Sequence, residues 1–312
     1  MKYKHIPVLL KEVMENACLK KGDFVIDCTL GGASYTLELA KKVGEKGKVF
    51  SFDLDKRAIK NAQVKIKEEK LNNIELINAG FNEIDNRIKE KEFALVVMDL
   101  GISSAQIDDL GRGMSFRSDA VLDMTFEGLG EEDNETIEIV NYAKEKELIR
   151  ILKEYGEERF ARSITKSIIR VRREKKITKI SELLEAVRGG VPTSYLHKSK
   201  IHFATKTFQA IRIASNHEIE RLESALPQAL NKLKEKGRLI VVSFHSLEDR
   251  VVKNFFKDES RDCICPPEIP VCRCNHKARL KVVNKKPLEA GKEELLKNPR
   301  ARSAKLRVAE KL

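Results

Sequence analysis

Apolar positions in the first hundred residues fall into short unbroken runs separated by longer amphipathic stretches. The runs 24–30, 48–53, 74–77 and 93–98 are rich in Val, Ile, Phe and Leu and are bounded by glycines or polar clusters, which predicts buried strands. Between them, 34–43 offers Leu37, Leu39 and Ala40, and 56–70 offers Ala58, Ile59, Ala62 and Ile66, with Asp55 placed to cap the second helix. Strand and helix alternating three times predict right-handed crossovers and a mainly parallel sheet with helices on both faces. The fold class is therefore α/β, doubly wound and Rossmann-like.

The alternation then stops. The next strand-like run is 238–244, preceded by a helical stretch over 218–236 in which Pro227 predicts a kink or two helices. Almost 140 residues separate strands four and five, where a crossover needs roughly 20 to 40. The excess predicts an inserted, mainly helical domain over 107–205, with helical patterns at 136–155 and 160–173. Residues 1–106 and 206–312 then form the sheet domain. After strand five come a helix over 247–256, a cysteine-bearing loop, and two short strand candidates at 280–283 and 305–308.

Composition adds the partner. Lys plus Arg is 60 against 48 for Asp plus Glu, a net charge of +12. That surplus points to an anionic partner, nucleic acid first, with simple solvation of a lysine-rich surface as the plainer alternative. Trp is absent and aromatics are 6%, which excludes a binder built on stacking platforms. No apolar run approaches the roughly 18 residues of a membrane span, and the first residues lack the apolar stretch of a signal peptide. No membrane partner and a cytoplasmic location are expected.

In that compartment the six cysteines are thiols or metal ligands. Cys18 and Cys28 lie in apolar patterns and are predicted to be small core residues. Cys263-x-Cys265 and Cys272-x-Cys274 face each other across a Pro-rich loop. Two readings stay open: a structural zinc on four thiolates, with His276 as a substitute ligand, or four free thiols.

The first strand runs into Asp27-Cys-Thr-Leu-Gly31-Gly32-Ala33-Ser34, and Asp53 ends strand two, 22 residues after Gly31. Ligands of open parallel sheets bind at the carboxyl ends of strands, where glycines admit a ligand and a second-strand acid accepts ribose hydroxyls. The run lacks the third glycine of a dinucleotide site, and no Walker-type lysine follows it. S-adenosylmethionine (AdoMet), an adenosine without phosphate, fits better than NAD. Strand four ends in Asp99-Leu-Gly-Ile-Ser-Ser104, and strand five in Ser243-Phe-His-Ser246, so Asp99, Ser103, Ser104 and His245 are further candidates. For Asp99 the plainer reading is a turn cap.

Charge concentrates between 162 and 179, where eight basic residues meet one acid, Glu174. Arg162, Lys166, Arg170 and Arg173 share one helix face by i, i+4 and i+3 steps. That face is the leading candidate for phosphate binding, against the plainer reading of a solvated helix. A second basic set is Arg300, Arg302, Lys305 and Arg307, of which Arg302 and Arg307 also suit structural ion pairs.

Taken together, these segments resemble the bacterial 16S ribosomal RNA cytosine-N4 methyltransferase family (MraW, also called RsmH). The resemblance runs through Lys4-His-Ile-Pro-Val-Leu-Leu10, Asp99-Leu-Gly-Ile-Ser-Ser104, Arg112-Gly-Met-Ser-Phe116 and Leu122-Asp-Met124. It continues in Tyr155-Gly-Glu-Glu-Arg-Phe160, Thr207-Phe-Gln-Ala-Ile-Arg212, Ser243-Phe-His-Ser-Leu-Glu-Asp-Arg250 and Asn298-Pro-Arg-Ala-Arg-Ser303. It implies a class I AdoMet-dependent methyltransferase sheet, an inserted RNA-recognition domain, and methylation of a cytidine amine in the decoding region. Naked 16S rRNA and the small ribosomal subunit both fit as partner. The family's cofactor positions fall on Ala33, Ser34, Tyr35, Asp53, Phe81, Asp99 and Gln106, with Asp99 and Ser103 as the candidates nearest the chemistry. Ala33-Ser34-Tyr35 stands where the family has a richer glycine run ending in Gly-His, so backbone contacts carry over there and side-chain contacts do not. Thr125 replaces an arginine common after the Leu-Asp-Met block. Members lacking the four clustered cysteines imply that the cluster is not catalytic.

Overall fold

A computed structural model describes residues 7–90, 92–102, 113–114, 119–128, 134–198, 201–266, 268 and 271–312. The chain divides into two compact units, 1–101 with 219–312, and 102–218.

The first unit is built on a seven-stranded sheet of order β3-β2-β1-β4-β5-β7-β6. Its strands are β1 (Phe24–Asp27), β2 (Lys48–Phe52), β3 (Ile74–Ile77), β4 (Phe93–Asp99), β5 (Leu233–Ser243), β6 (Leu280–Val282) and β7 (Lys305–Lys311). All pairs up to β5 are parallel, and β7 runs antiparallel to both β5 and β6. The period of two along each strand sorts side chains into two apolar layers. Ile26, Phe50, Val96, Met98 and Val241 enter one, and Val25, Val49, Leu95, Val97 and Ile240 the other. Helices α1 (Leu10–Asn16) and α2 (Ser34–Val43) contribute Val13, Leu39 and Val43 to the second layer.

Helix α3 (Lys56–Glu68) starts where its sequence predicts, with the Asp55 carboxylate accepting from the Arg57 amide. A short α4 (Ile84–Arg87) follows β3.

The second unit holds α5 (Glu135–Tyr142), α6 (Glu145–Glu154), α7 (Ala161–Glu174), α8 (Ile180–Arg188), α9 (Thr193–Lys198) and α10 (Thr205–Ser215). Its core gathers Ile137, Leu148, Leu152, Ile164, Ile168, Leu183 and Ile211. The predicted helical pattern over 136–155 is two helices, because Ala143 and Lys144 take extended backbone (ψ 140 and 153°). The insertion also extends beyond the predicted 107–205. Phe208, Ala210, Ile211 and Ala214 bury α10 in the insertion's own core, so the second unit ends at Glu218.

The chain returns to the first unit along α11 (Glu218–Lys232). It passes through Pro227 as one helix, which leaves the kink of the two predicted alternatives and removes the two-helix one. Leu222, Ala225, Leu226, Ala229 and Leu230 anchor it in the core on both sides of the proline, and this burial overrides the lost hydrogen bond. Helix α12 (Ser246–Glu259) follows β5, and α13 (Lys292–Lys297) precedes β7. Cys28 is buried as expected, but Cys18 is exposed, held with φ +50° at the turn after α1. Among the described residues, no helix is long and apolar enough to cross a membrane.

Candidate active site

Strand order reverses between β1 and β4, and the carboxyl ends of β2, β1 and β4 there present Asp53, Asp27 and Asp99. Asp27 is consumed internally: its carboxylate accepts from the Thr36 hydroxyl at 2.6 Å and the Thr29 amide at 3.1 Å, and Thr36 in turn meets Ser51 at 2.9 Å. This buried network joins β1, α2 and β2. Thr29 also accepts from the Asp99 amide at 2.7 Å, tying β1 to β4.

Asp53 shapes the glycine loop. Its Oδ2 accepts from the Gly31 amide at 2.8 Å and its Oδ1 from the Asp55 amide at 2.8 Å. Each oxygen keeps a further lone pair. Asn78 holds the following backbone by donating to the carbonyls of Asp53 and Leu54. Gly31 (φ +46°) and Ala33 (φ +65°) adopt left-handed backbone, so the chain turns into α2 with Ala33 as N-cap. Lys65, which sequence reasoning missed, reaches from α3 to donate to the Gly32 carbonyl at 2.7 Å. Helical spacing marks Lys65 as one more polar position on an amphipathic helix, and only the packing of α3 shows where its ammonium ends.

Ser34 opens α2 half-buried. The Tyr35 side chain turns away from the sheet's edge: it is 4% exposed and its hydroxyl donates to the Val8 carbonyl. At most the backbone of Tyr35 serves a ligand, as the absence of the family's Gly-His ending implies. Phe81 starts a turn after β3 and packs half-buried against the layer that contains Ile77.

Asp99 differs from its neighbours. Its Oδ1 is buried without a hydrogen-bond partner among the described residues. Burial, reinforced by the charges of Asp27 and Glu248, holds this carboxyl well above the ordinary carboxylate range. Burial also raises Asp27 to about 6, against the bonds from Thr36 and Thr29, and Asp53 to about 6, against those from Asp55 and Gly31. Asp53 and Asp99, with Asp27 buried behind them, suit a donor-rich or cationic ligand at this sheet edge and oppose a pyrophosphate. The residues therefore fit AdoMet, with its ribose hydroxyls and sulfonium, and disfavour NAD.

Ser103, Ser104 and Gln106 lie outside the described residues. His245 caps α12: its Nδ1 accepts from the Glu248 amide, and the Glu248 carboxylate accepts from the Phe244 and His245 amides. Its Nδ1 thus serves the helix start, while its Nε2 is buried 3.2 Å from Glu248 Oε1 with no hydrogen-bond partner among the described residues.

In the second unit, Arg162, Lys166, Arg170 and Arg173 are exposed on α7, while Ile164 and Ile168 of the same helix are fully buried. None of the four cations has a carboxylate partner among the described residues. Others of the basic run are engaged: Arg172 donates to the Val140 and Ala143 carbonyls, Lys175 pairs with Glu182, and Lys179 with Asp119. Thr125 donates to the buried Asp123 carboxylate at 2.5 Å, closing a local turn where an arginine was expected. In the second basic set, Arg307 forms a bidentate pair with Asp249 at 2.7 and 3.1 Å, a structural role.

The sulfurs of Cys263, Cys265, Cys272 and Cys274 all lie within 4.8 Å of one another. His276 is not among them, since its Nε2 meets the Asp258 carbonyl at 3.0 Å.

The model of the MraW methylase family matches residues 2–312. The chain is 41% identical over 315 residues to ribosomal RNA small subunit methyltransferase H of Clostridium botulinum (strain 657 / Type Ba4), covering 100% of both. It is 42% identical to the protein of that name from Caldicellulosiruptor saccharolyticus, covering 99% of this chain and 100% of that one. A methyltransferase of Streptococcus mutans solved with SAH resembles it at 14% identity and a TM-score of 0.44, over 99% of this chain and 100% of that one. Matched nearly end to end, the chain belongs to the MraW methylase family.

Proposed function

We propose that this enzyme methylates the N4 amine of a cytidine in the decoding region of 16S rRNA. It acts in the cytoplasm on naked rRNA or on the small ribosomal subunit. The observation that carries the reading is the buried Oδ1 of Asp99, without a hydrogen-bond partner among the described residues, at the switch point of the sheet with β1 between it and Asp53. The relatives' printed name supports the rRNA substrate.

AdoMet, when bound, supplies a methyl group made electrophilic by its sulfonium. Asp53 accepts the ribose hydroxyls on the lone pairs left by Gly31 and Asp55. The Ala33 amide is taken by the Leu30 carbonyl at 2.6 Å, so the backbone of Ser34 and Tyr35 offers the first free N–H groups of α2, and Phe81 offers an apolar edge. Gln106 completes the cofactor set by resemblance to the family.

The cytosine amine is a weak nucleophile because its lone pair is delocalised into the ring. An acceptor on one N–H favours the pyramidal form, and holding the amine in place supplies proximity. Asp99 Oδ1 is that acceptor. The proton that the methylated amine sheds passes to an ionised Asp99 carboxylate or to solvent. Ser103 is the second candidate to orient the amine. The inserted unit recognises RNA, with Arg162, Lys166, Arg170 and Arg173 meeting phosphates.

Mass mapping of 16S rRNA nucleotides from cells with and without the protein tests the reading. The expected result is loss of one methyl group from a decoding-region cytidine, restored by the wild-type chain and not by Asp99→Ala. Unchanged methylation of every cytidine there overturns it.

A further inference from the structure

The segment between α12 and β6 is held by hydrogen bonds at its ends, such as Ala278 N–H to Asp262 Oδ1 at 3.1 Å, rather than by a core. Among its described residues from 260 to 279 none is buried, and Ile264 and Val271 are 45% and 68% exposed. A connection of this length without a core or regular structure is uncommon in a folded domain unless something cross-links it. Yet its ends are fixed: the Arg279 amide donates to the Glu259 carbonyl at 2.8 Å, and the Arg279 side chain to the Glu259 carboxylate at 2.6 Å.

The four sulfurs supply the missing cross-link. A tetrahedral zinc with Zn–S bonds of about 2.3 Å sets sulfur–sulfur separations of about 3.8 Å. Cys272 and Cys274 are 3.6 Å apart, and Cys274 and Cys263 3.9 Å. The backbone is arranged reciprocally around them. Ile264, between the first two cysteines, donates its amide to Cys274 Sγ at 3.5 Å. Arg273, between the second two, donates to Cys265 Sγ at 3.4 Å. Amides aimed at sulfurs from opposite pairs stabilise thiolates, the form that binds metal. Arg273 and Lys277 have no carboxylate partner among the described residues and offset part of the double negative charge of a four-thiolate zinc. Arg261 and Arg279 are taken by Asp258 and Glu259.

We infer that Cys263, Cys265, Cys272 and Cys274 bind one structural zinc ion that fixes the 260–279 segment between α12 and β6. The site is separate from the cofactor end of the sheet and independent of the substrate reading. Binding releases the thiol protons to solvent and involves no change of oxidation state.

The test uses the full chain without a polyhistidine tag, expressed with added zinc and purified under reductant. Elemental analysis should find about one zinc per chain. Cobalt exchange should give the intense visible absorption of a tetrahedral thiolate site. Cys272→Ser with Cys274→Ser should lose the metal, while Cys18→Ser keeps it. Stripping the zinc should speed proteolytic cleavage within 260–279 by about tenfold or more while the sheet resists. The inference is overturned by wild-type protein that carries little metal while Cys18 and the four clustered thiols all react freely, or by a disulfide among the four. Should the double variant fail to fold, the cobalt spectrum of the wild-type chain decides.

Discussion

Replacing Asp53 by Asn separates the cost of building the cofactor site from its use. The carboxylate accepts two amides at 2.8 Å, from Gly31 and Asp55. Asn retains one acceptor oxygen and points an NH2 group at the other amide, leaving a buried donor unsatisfied at about 1–3 kcal/mol. Against that, a carboxyl raised from 3.8 to about 6 by burial resists ionisation, by roughly 3 kcal/mol at neutral pH, and the amide carries no such opposition. The two effects oppose each other, so the unliganded variant should melt within about 5 °C of wild type at pH 7.5. AdoMet binding has no such compensation. Losing one charge-assisted bond to a ribose hydroxyl costs about 1.5–3 kcal/mol, which is roughly 10- to 100-fold in Kd.

The pH dependence has a definite sign. A raised carboxyl contributes stability that is present at low pH and is lost as pH rises from about 4 through about 6, for Asp27 as for Asp53. Ligand binding to ionised Asp53 runs the other way, so wild-type affinity should fall about tenfold for each pH step below 6. The Asn variant should lack that dependence. Calorimetric titration with AdoMet from pH 5 to 8, beside thermal melts without ligand, measures both. A variant that binds AdoMet within about twofold of wild type at pH 7.5 refutes the role given to Asp53.

Lys65→Met keeps the apolar stem of the side chain and removes the bond to the Gly32 carbonyl. It should weaken AdoMet by about 3- to 10-fold while shifting stability by no more than about 1 kcal/mol, read by the same titration and melts. Replacing Arg162, Lys166 and Arg170 together by Gln should lower the slope of log K for RNA against log salt by about 2 to 3. AdoMet affinity should be unchanged, and an unaltered slope would leave this face merely solvated. Arg307→Met leaves the Asp249 carboxylate, among the described residues, with only the longer Lys305 pair at 3.7 Å. Burial pushes this carboxyl up, while the Arg307 bonds, with the Lys305 and Lys253 charges, hold it below its ordinary value. Chemical denaturation should show a loss of about 3 kcal/mol.

The sheet was legible because its strands are buried on both faces. The runs ending at Asp27 and Asp99 contain hardly any polar residue before the terminal acid, so strand and candidate ligand were read together. Asp55 was legible as a cap because its neighbours leave it no other work. The break at Ala143 and Lys144 was not, since neither residue resists a helix and the turn is set by packing of α5 and α6 on a shared core. Tyr35 shows the limit for sites: the motif marks its position, but the Val8 carbonyl that takes its hydroxyl lies 27 residues away. Arg307 shows the same limit for charge. Its residue type suited phosphate, while its place on an interior strand assigned it to Asp249.

The antiparallel β7 lies between β5 and β6, so β6 has a ladder partner only once 305–311 are in place. The inserted unit, by contrast, draws on one continuous stretch, 102–218, that leaves the translating ribosome earlier. During synthesis the helical unit can thus assemble while the sheet of the first unit is still open along one side. β5 meanwhile waits with an unpaired edge for a strand made some 60 residues later. An enzyme proposed to modify ribosomes would itself depend on the pace at which a ribosome delivers its last strand.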